Sequence, residues 1–425
     1  MLNRTLTPGY KQVNEINFIA PEQKQLSNGI EVYTFNAGDK ELVRVEFIFN
    51  NVNWDQTKPL QAVTVNSLIN NGTATLSAKE IAEKVDYFGA FLQTDYGADH
   101  ITITLYSLSK HLQSVLPIVK AILTESTFPQ QELNIFIQNQ KQKLQVNLQK
   151  NDFLARKTFA HAVFGDTAYG SDIAIEDYDA LKRDDLIQYY KAAFKPENCI
   201  IIAAGKFEEK EFGLLDEFFG KDWIGHSTSV LNDFNYLPTG GSKITIEKPD
   251  ALQNAIRMGK LAINRSHPDF PAFQVLNTVL GGYFGSRLMA NIREDKGYTY
   301  GIGSGVASLK HAGYFFIATE VGADVCKNAL TEIYKEIELL STEKISEDEL
   351  NLVRNYMLGS LLGSLENIFS HADKFKNLYF SNLSYDYYSK YIDTVKNISA
   401  ERIQQIAQSY LVPSSFVEVV VGKTN

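Results

Sequence analysis

The chain repeats itself at an almost constant spacing, so it can fold as two copies of one topology but not as two unrelated units. The apolar stretch CIIIAAG is bracketed by Pro196 and by Gly205-Lys206. A second, FVEVVVG, is bracketed by Pro413 and by Gly422-Lys423, and each of these three pairs lies 217 residues apart. Glu132-Leu133-Asn134 returns at the same distance as Glu349-Leu350-Asn351. Upstream the spacing shrinks, to 209 for Pro59/Pro268 and Gly72/Gly281 and to 208 for Gly89/Gly297, as a few inserted loop residues would cause. The repeat divides the chain into a first domain at 1–230, a polar linker at 231–241 and a second domain at 242–425. With 425 residues in all, each half is long enough to bury a core of its own.

Within each half the hydrophobic period switches between two and 3.6. Residues 29–36, 43–50 and 101–108 read as strands, the first two as a pair. Residues 68–85 and 112–123 carry apolar spacings of three and four and read as helices, and Ser77 with Glu80 has capping-box spacing. In the second half, residues 244–246, 256–261, 301–307 and 314–318 read as strands, and 272–279, 287–294, 327–340 and 347–362 as helices. Runs of strands followed by runs of helices predict an α+β fold: two homologous domains of mixed, mainly antiparallel sheet with helices on one face.

Composition removes several function classes. A net charge of −9 without a long Lys/Arg run argues against a nucleic-acid or anionic-membrane surface. No apolar stretch approaches the ~20 residues that span a bilayer. The first fifteen residues have no apolar run behind their early positive charge, which predicts a cytoplasmic protein, or a periplasmic one if a leader was removed. Cys199 and Cys326 are far apart and read as buried thiols. His100, His111, His161, His226, His267, His311 and His371 include no pair at i+3 or i+4, and none lies in an H-E-x-x-H or H-x-x-E-H pattern. His100 reads as a satisfied edge or surface histidine. Gly303-Ser304-Gly305 and Gly285-Ser286 do not complete a nucleophile elbow and read as turns, and no phosphate-binding glycine motif is present. Residues 138–150, rich in Gln and Lys, read as a solvated helix surface.

The chemistry is concentrated in residues 281–301, GGYFGSRLMANIREDKGYTYG, where Arg293 and Tyr300 stand seven residues apart around a Gly-broken helix end. A guanidinium and a phenol held together can grip a peptide carbonyl and stabilise charge developing on its oxygen.

The string Arg293-Glu294-Asp295-Lys296-Gly297-Tyr298-Thr299-Tyr300 resembles the R-[ED]-x-x-G-x-x-Y motif of the pitrilysin/insulinase family of inverzincin zinc peptidases. The first half is similar to that family's N-terminal domain through Asn71-Gly72-Thr73, a helix at 79–88, Gly89-Ala90, a strand through Thr104 and Phe128-Pro129. The resemblance spans essentially the whole chain. In active members an H-x-x-E-H helix precedes the Gly-Thr, and counting back from Gly72 puts its three motif positions at Val63, Asn66 and Ser67. None can do the work of an imidazole ligand or a carboxylate base. The helix expected to supply a further glutamate has none between Glu132 and Glu176 and offers amides such as Gln145 instead.

What the resemblance implies is a non-catalytic subunit that holds no metal and supplies Arg293 and Tyr300 in trans. Zinc is expected in a homologous partner subunit, with which the chain would enclose a chamber over a peptide substrate. A homodimer is left open, and no nucleic-acid or membrane partner is implied. The peptide strand would add to a sheet edge near Gly89, Ala90, Phe91 and Leu92. The family also contains structural subunits of respiratory complexes, so the alternative is a structural or peptide-binding homologue without a part in proteolysis.

Overall fold

The computed structural model describes residues 13, 15–37, 41–225, 228–237 and 240–423. Residues 1–12 and 14 of the N-terminal stretch read for a leader, His226, and Pro238 and Thr239 of the expected linker lie outside the described residues. The first sheet contains β1 (Glu22–Gln25), β2 (Glu31–Asn36), β3 (Leu42–Asn50), β4 (Phe91–Tyr96), β5 (His100–Leu108) and β6 (Cys199–Gly205), in the order β1-β2-β6-β3-β5-β4. The second contains β7 (Ser242–Glu247), β8 (Gln253–Ala262), β9 (Thr299–Ser308), β10 (Gly313–Gly322) and β11 (Val417–Gly422), in the order β7-β11-β8-β10-β9. Apart from β1 the two orders are the same, and the fold is α+β.

β6 runs parallel to β2 and antiparallel to β3, and β11 likewise runs parallel to β7 and antiparallel to β8. The strands at 29–36 and 43–50 are therefore not a pair, because β6 lies between them. Its sequence CIIIAAG is apolar throughout and suits a central slot covered on both faces, whereas β2 and β3 alternate well enough to look like a hairpin.

The expectation of helices on one face only is also corrected. On one side of the first sheet Val32, Val45, Phe47, Phe49 and Ile201 pack on helices of the same half, including Leu112–Glu125 and Arg183–Ala193. On the other, Tyr33, Phe35, Ile48, Ile202 and Ala204 are covered by the helix Ile368–Phe380 of the second half. Phe375 sits 4.7 Å from the Tyr33 ring and 5.7 Å from Phe35. The arrangement is reciprocal. Helix Asn151–Phe164 of the first half places Ala155, Phe159 and Val163 against Ala255, Val419 and Val421 of the second sheet.

Charges reinforce one of these crossings. Arg44 on β3 lies 3.1 Å from Glu46 and 2.8 Å from Asp373, and Lys376 lies 2.7 Å from Glu46. Arg44 and Glu46 are both buried, so removing one partner strands a charge, at a typical cost of about 3–5 kcal/mol. The segment joining the halves is pinned too: Leu231 bridges Val52, the Asn232 side chain accepts from the Trp54 N–H at 2.8 Å, and Tyr236 stacks on Tyr169.

The helix expected over 68–85 is broken. One helix occupies Gln61–Leu68, Gly72 turns the chain at φ +144°, and a second helix runs over Ala78–Tyr87. A Cβ at Gly72 would lie 2.9 Å from Pro129, so both its φ and its surroundings exclude side chains. Ser77 restarts the helix by accepting from the Glu80 N–H, and the Glu80 carboxylate accepts from the Ser77 N–H at 2.8 Å, a complete capping box. Ser77→Ala is expected to lower stability by about 1 kcal/mol, read from the urea midpoint at unchanged slope.

His100 is neither at an edge nor at the surface. It opens the interior strand β5 half-buried, stacks at 4.4 Å on Phe380 from the second half, and leaves Nδ1 buried with no partner among the described residues. Burial pushes its pKa below the usual 6.5, helped by Lys376 and Lys310 and opposed by Asp99. A base whose folded pKa lies below its unfolded one adds stability that is present above about pH 6.5 and is lost as pH falls through the folded value. The His100→Gln variant is expected to lose less stability than the parent between pH 7.5 and pH 5.5. The residual slope would come from His311 and His371, which burial also lowers.

Candidate active-site remnant and substrate surface

Arg293 belongs to a π-helical turn, Met289–Asp295, held inside by buried Met289 and Ile292. Asn291 clamps this turn to the helix Cys326–Thr342 by donating to Glu336 at 2.7 Å and Glu332 at 3.0 Å. Gly297, at φ +66°, ends the turn, and β9 begins two residues later with Thr299, whose hydroxyl donates to the Glu320 carbonyl at 2.6 Å. The tight return brings the two predicted residues together. Arg293 Nε donates to the backbone carbonyl of Tyr300 at 2.9 Å, and the guanidinium lies 5.9 Å from the Tyr300 ring centroid.

Sequence reasoning missed a third member. Phe284, from the Gly-rich turn, lies 4.8 Å from the Arg293 guanidinium on its ring face. Phe284 is 64 % exposed and Tyr300 is 94 % exposed. The arrangement fixes a planar cation between rings while leaving the phenol in the open, where it can donate to a molecule docked against the chain. The available signal was an aromatic next to Gly285 in the Gly-rich turn.

Ser304 is not in a turn. It lies within β9, where its hydroxyl donates to the Asn277 side chain at 2.8 Å, and a Cβ at Gly281 would come within 2.6 Å of it. The glycines on either side of Ser304 are strand residues beside a close crossing, whereas Gly285-Ser286 does lie at a turn.

Val63, Asn66 and Ser67 lie on the helix Gln61–Leu68, with no metal-binding chemistry between them. Val63 joins a cluster with Leu60, Leu144, Tyr178, Phe136 and Ile137. The Ser67 hydroxyl is spent on the Val63 carbonyl at 2.8 Å, and Asn66 is buried with its Oδ1 unpartnered among the described residues. Gln145 is exposed on the helix Gln130–Asn147, and the buried residue beside it is Leu144. These residues do not fit zinc: Val63 offers only hydrocarbon, and the other two offer one amide and one hydroxyl already bonded to the Val63 carbonyl. Among the described residues no group of three or more His, Cys, Asp or Glu side chains could hold a metal ion.

Gly89 and Ala90 lead from the helix Ala78–Tyr87 into β4, the outermost strand of the first sheet. Gly89 has φ +59° and Ala90 is buried, while Phe91 is 59 % exposed and Leu92 half-buried. β4 pairs with β5 on one side. An edge strand offers its outward N–H and C=O groups to another extended chain. No helix among the described residues is long and apolar enough to cross a membrane.

The comparisons with known proteins point the same way. The family model described as the M16 peptidase inactive domain matches residues 180–357. The chain is 25% identical over 299 residues to an uncharacterized zinc protease of Bacillus subtilis, covering 70% of this chain and 72% of that protein. It is 23% identical over 366 residues to a non-peptidase homologue from Helicobacter pylori, covering 81% and 80%. Among solved structures, a peptidase M16 inactive domain from Pseudomonas fluorescens superposes with a TM-score of 0.86 at 20% identity, over 96% of this chain and 99% of that one. With the duplicated α+β architecture, these likenesses make the chain similar to the inactive domains and non-peptidase homologues of the pitrilysin/insulinase (M16) peptidases, and its sequence carries no H-x-x-E-H.

Proposed function

We propose that this chain is the non-catalytic subunit of a two-chain zinc peptidase, supplying Arg293 and Tyr300 to a peptide bound at the partner's metal. The observation that carries this reading is the exposed Phe284–Arg293–Tyr300 group, retained in a chain whose metal position is filled by Val63, Leu60 and Leu144. An exposed aromatic pair around a fixed guanidinium gives no stability that burial would explain, and it suits a surface that meets another molecule. The zinc, the attacking water and its general base belong to the partner. In this chain the substrate strand runs along β4, with Gly89 and Ala90 at its start and Phe91 and Leu92 meeting alternate side chains.

Alone the chain hydrolyses nothing. The test is to purify it, then assay a quenched fluorescent peptide with this chain, with a homologous H-x-x-E-H subunit from the same genome, and with both. Activity only in the mixture, abolished by a chelator, is the expected result. Chelator-sensitive cleavage by this chain alone, or a mixture no faster than the partner by itself, rejects the assignment.

A further inference from the structure

A pocket of about 310 Å³ opens in the second half among the helices Phe270–Asn277, Glu347–Gly363, Ile368–Phe380 and Asp386–Asn397. Its size falls at the low end of the roughly 300–1,000 Å³ typical of small-molecule sites. Arg265 and Lys374 both line it, together with Gln274 and the rings of Tyr356, Tyr387 and Tyr391. No Asp or Glu is among its described lining residues.

Among the described residues no carboxylate of the pocket lining offsets the two cations. Arg265 Nη1 reaches the Asn377 carbonyl at 3.5 Å, the long limit of a hydrogen bond. Asp373, next to Lys374 in sequence, is already shared between Arg44 at 2.8 Å and Lys376 at 3.7 Å. Burial holds the Lys374 ammonium below its usual range, and Arg265 pushes it the same way, with Asp373 opposing. Two like charges beside each other in a half-buried pocket destabilise the fold unless something bound there neutralises them.

We propose that this pocket binds a small organic oxyanion, a carboxylate or a phosphate, gripped by Arg265 and Lys374 while its body rests on the tyrosine rings. The planar guanidinium fork suits either group, and Lys374 adds a point charge. The site is separate from the Arg293–Tyr300 group, and neither Arg293 nor Tyr300 lines it.

The experiment is calorimetric titration of the intact chain with inorganic phosphate in one arm and phenylacetate in the other, repeated on Arg265→Gln and Lys374→Gln. Saturable binding with a dissociation constant at or below about 1 mM is expected in at least one arm, weakened tenfold or more by each variant. Phosphate alone assigns a phosphorylated ligand, and phenylacetate alone assigns a carboxylate. A second readout guards against misfolding: in anion-free buffer Lys374→Gln relieves the repulsion and is expected to raise the thermal midpoint. No saturation with either anion, binding within twofold of the parent in both variants, or a lowered midpoint in Lys374→Gln overturns the proposal.

Discussion

Tyr300→Phe in the reconstituted two-chain enzyme is expected to reduce kcat by roughly 10²–10³-fold, the usual loss when one oxyanion-directed donor is removed. The substitution deletes a single hydroxyl from a side chain that is 94 % exposed, so the circular dichroism spectrum and the melting midpoint should not move. KM separates the roles. Loss of a donor acting only in the transition state lowers kcat and kcat/KM together, whereas loss of one that merely grips substrate raises KM alone. Arg293→Ala should be at least as damaging, because its Nε also holds the Tyr300 carbonyl and its loss frees the strand start. Arg293→Lys should not rescue it, since an ammonium cannot sit flat between Phe284 and Tyr300 while donating sideways. If Tyr300→Phe and Arg293→Ala both turn over at the parent rate, the chain is a scaffold.

The second large effect is on stability. Phe159 is almost fully buried at the junction where a first-half helix lies on the second sheet, and Phe159→Ala is expected to cost about 3–5 kcal/mol. Because each half caps the other, the loss should appear everywhere at once. Both tryptophans, Trp54 and Trp223, belong to the first half, so their fluorescence reports that half alone while circular dichroism reports both. Phe315→Ala, in the core of the second half, should shift the fluorescence midpoint as far as the dichroism midpoint. Separate transitions would show that the halves fold independently.

Much of the architecture was legible because duplication writes the topology twice. The offset of 217 residues between Gly205 and Gly422 joins the ends of β6 and β11, which occupy equivalent places in their sheets. The insertion of those strands between earlier ones was not legible. Alternation in β2 and β3 describes which faces are buried but not which neighbour supplies the hydrogen bonds. The exchanged helices were hidden for a related reason: Ala155, Phe159 and Val163 show that a face is covered, without naming the sheet that covers it. At the site, the spacing of Arg293 and Tyr300 carried over into contact because a π-turn and Gly297 fold the intervening residues back on themselves. The role of Phe284 depended on tertiary approach, and so did the packing of Val63 in one cluster with Leu144, one residue before the exposed Gln145.

The reciprocal helix exchange sets a schedule for biosynthesis. Tyr33, Phe35, Ile48, Ile202 and Ala204 form an apolar face that is finished only when Ile368–Phe380 arrives, so most of the polypeptide leaves the ribosome before the first sheet can be sealed. At about 5–20 residues per second, the roughly 160 residues between β6 and that helix keep this face wet for about 8–30 seconds. During that interval the nascent chain is a natural client for holding chaperones, and a messenger truncated ahead of residue 368 should yield aggregate rather than a smaller soluble protein.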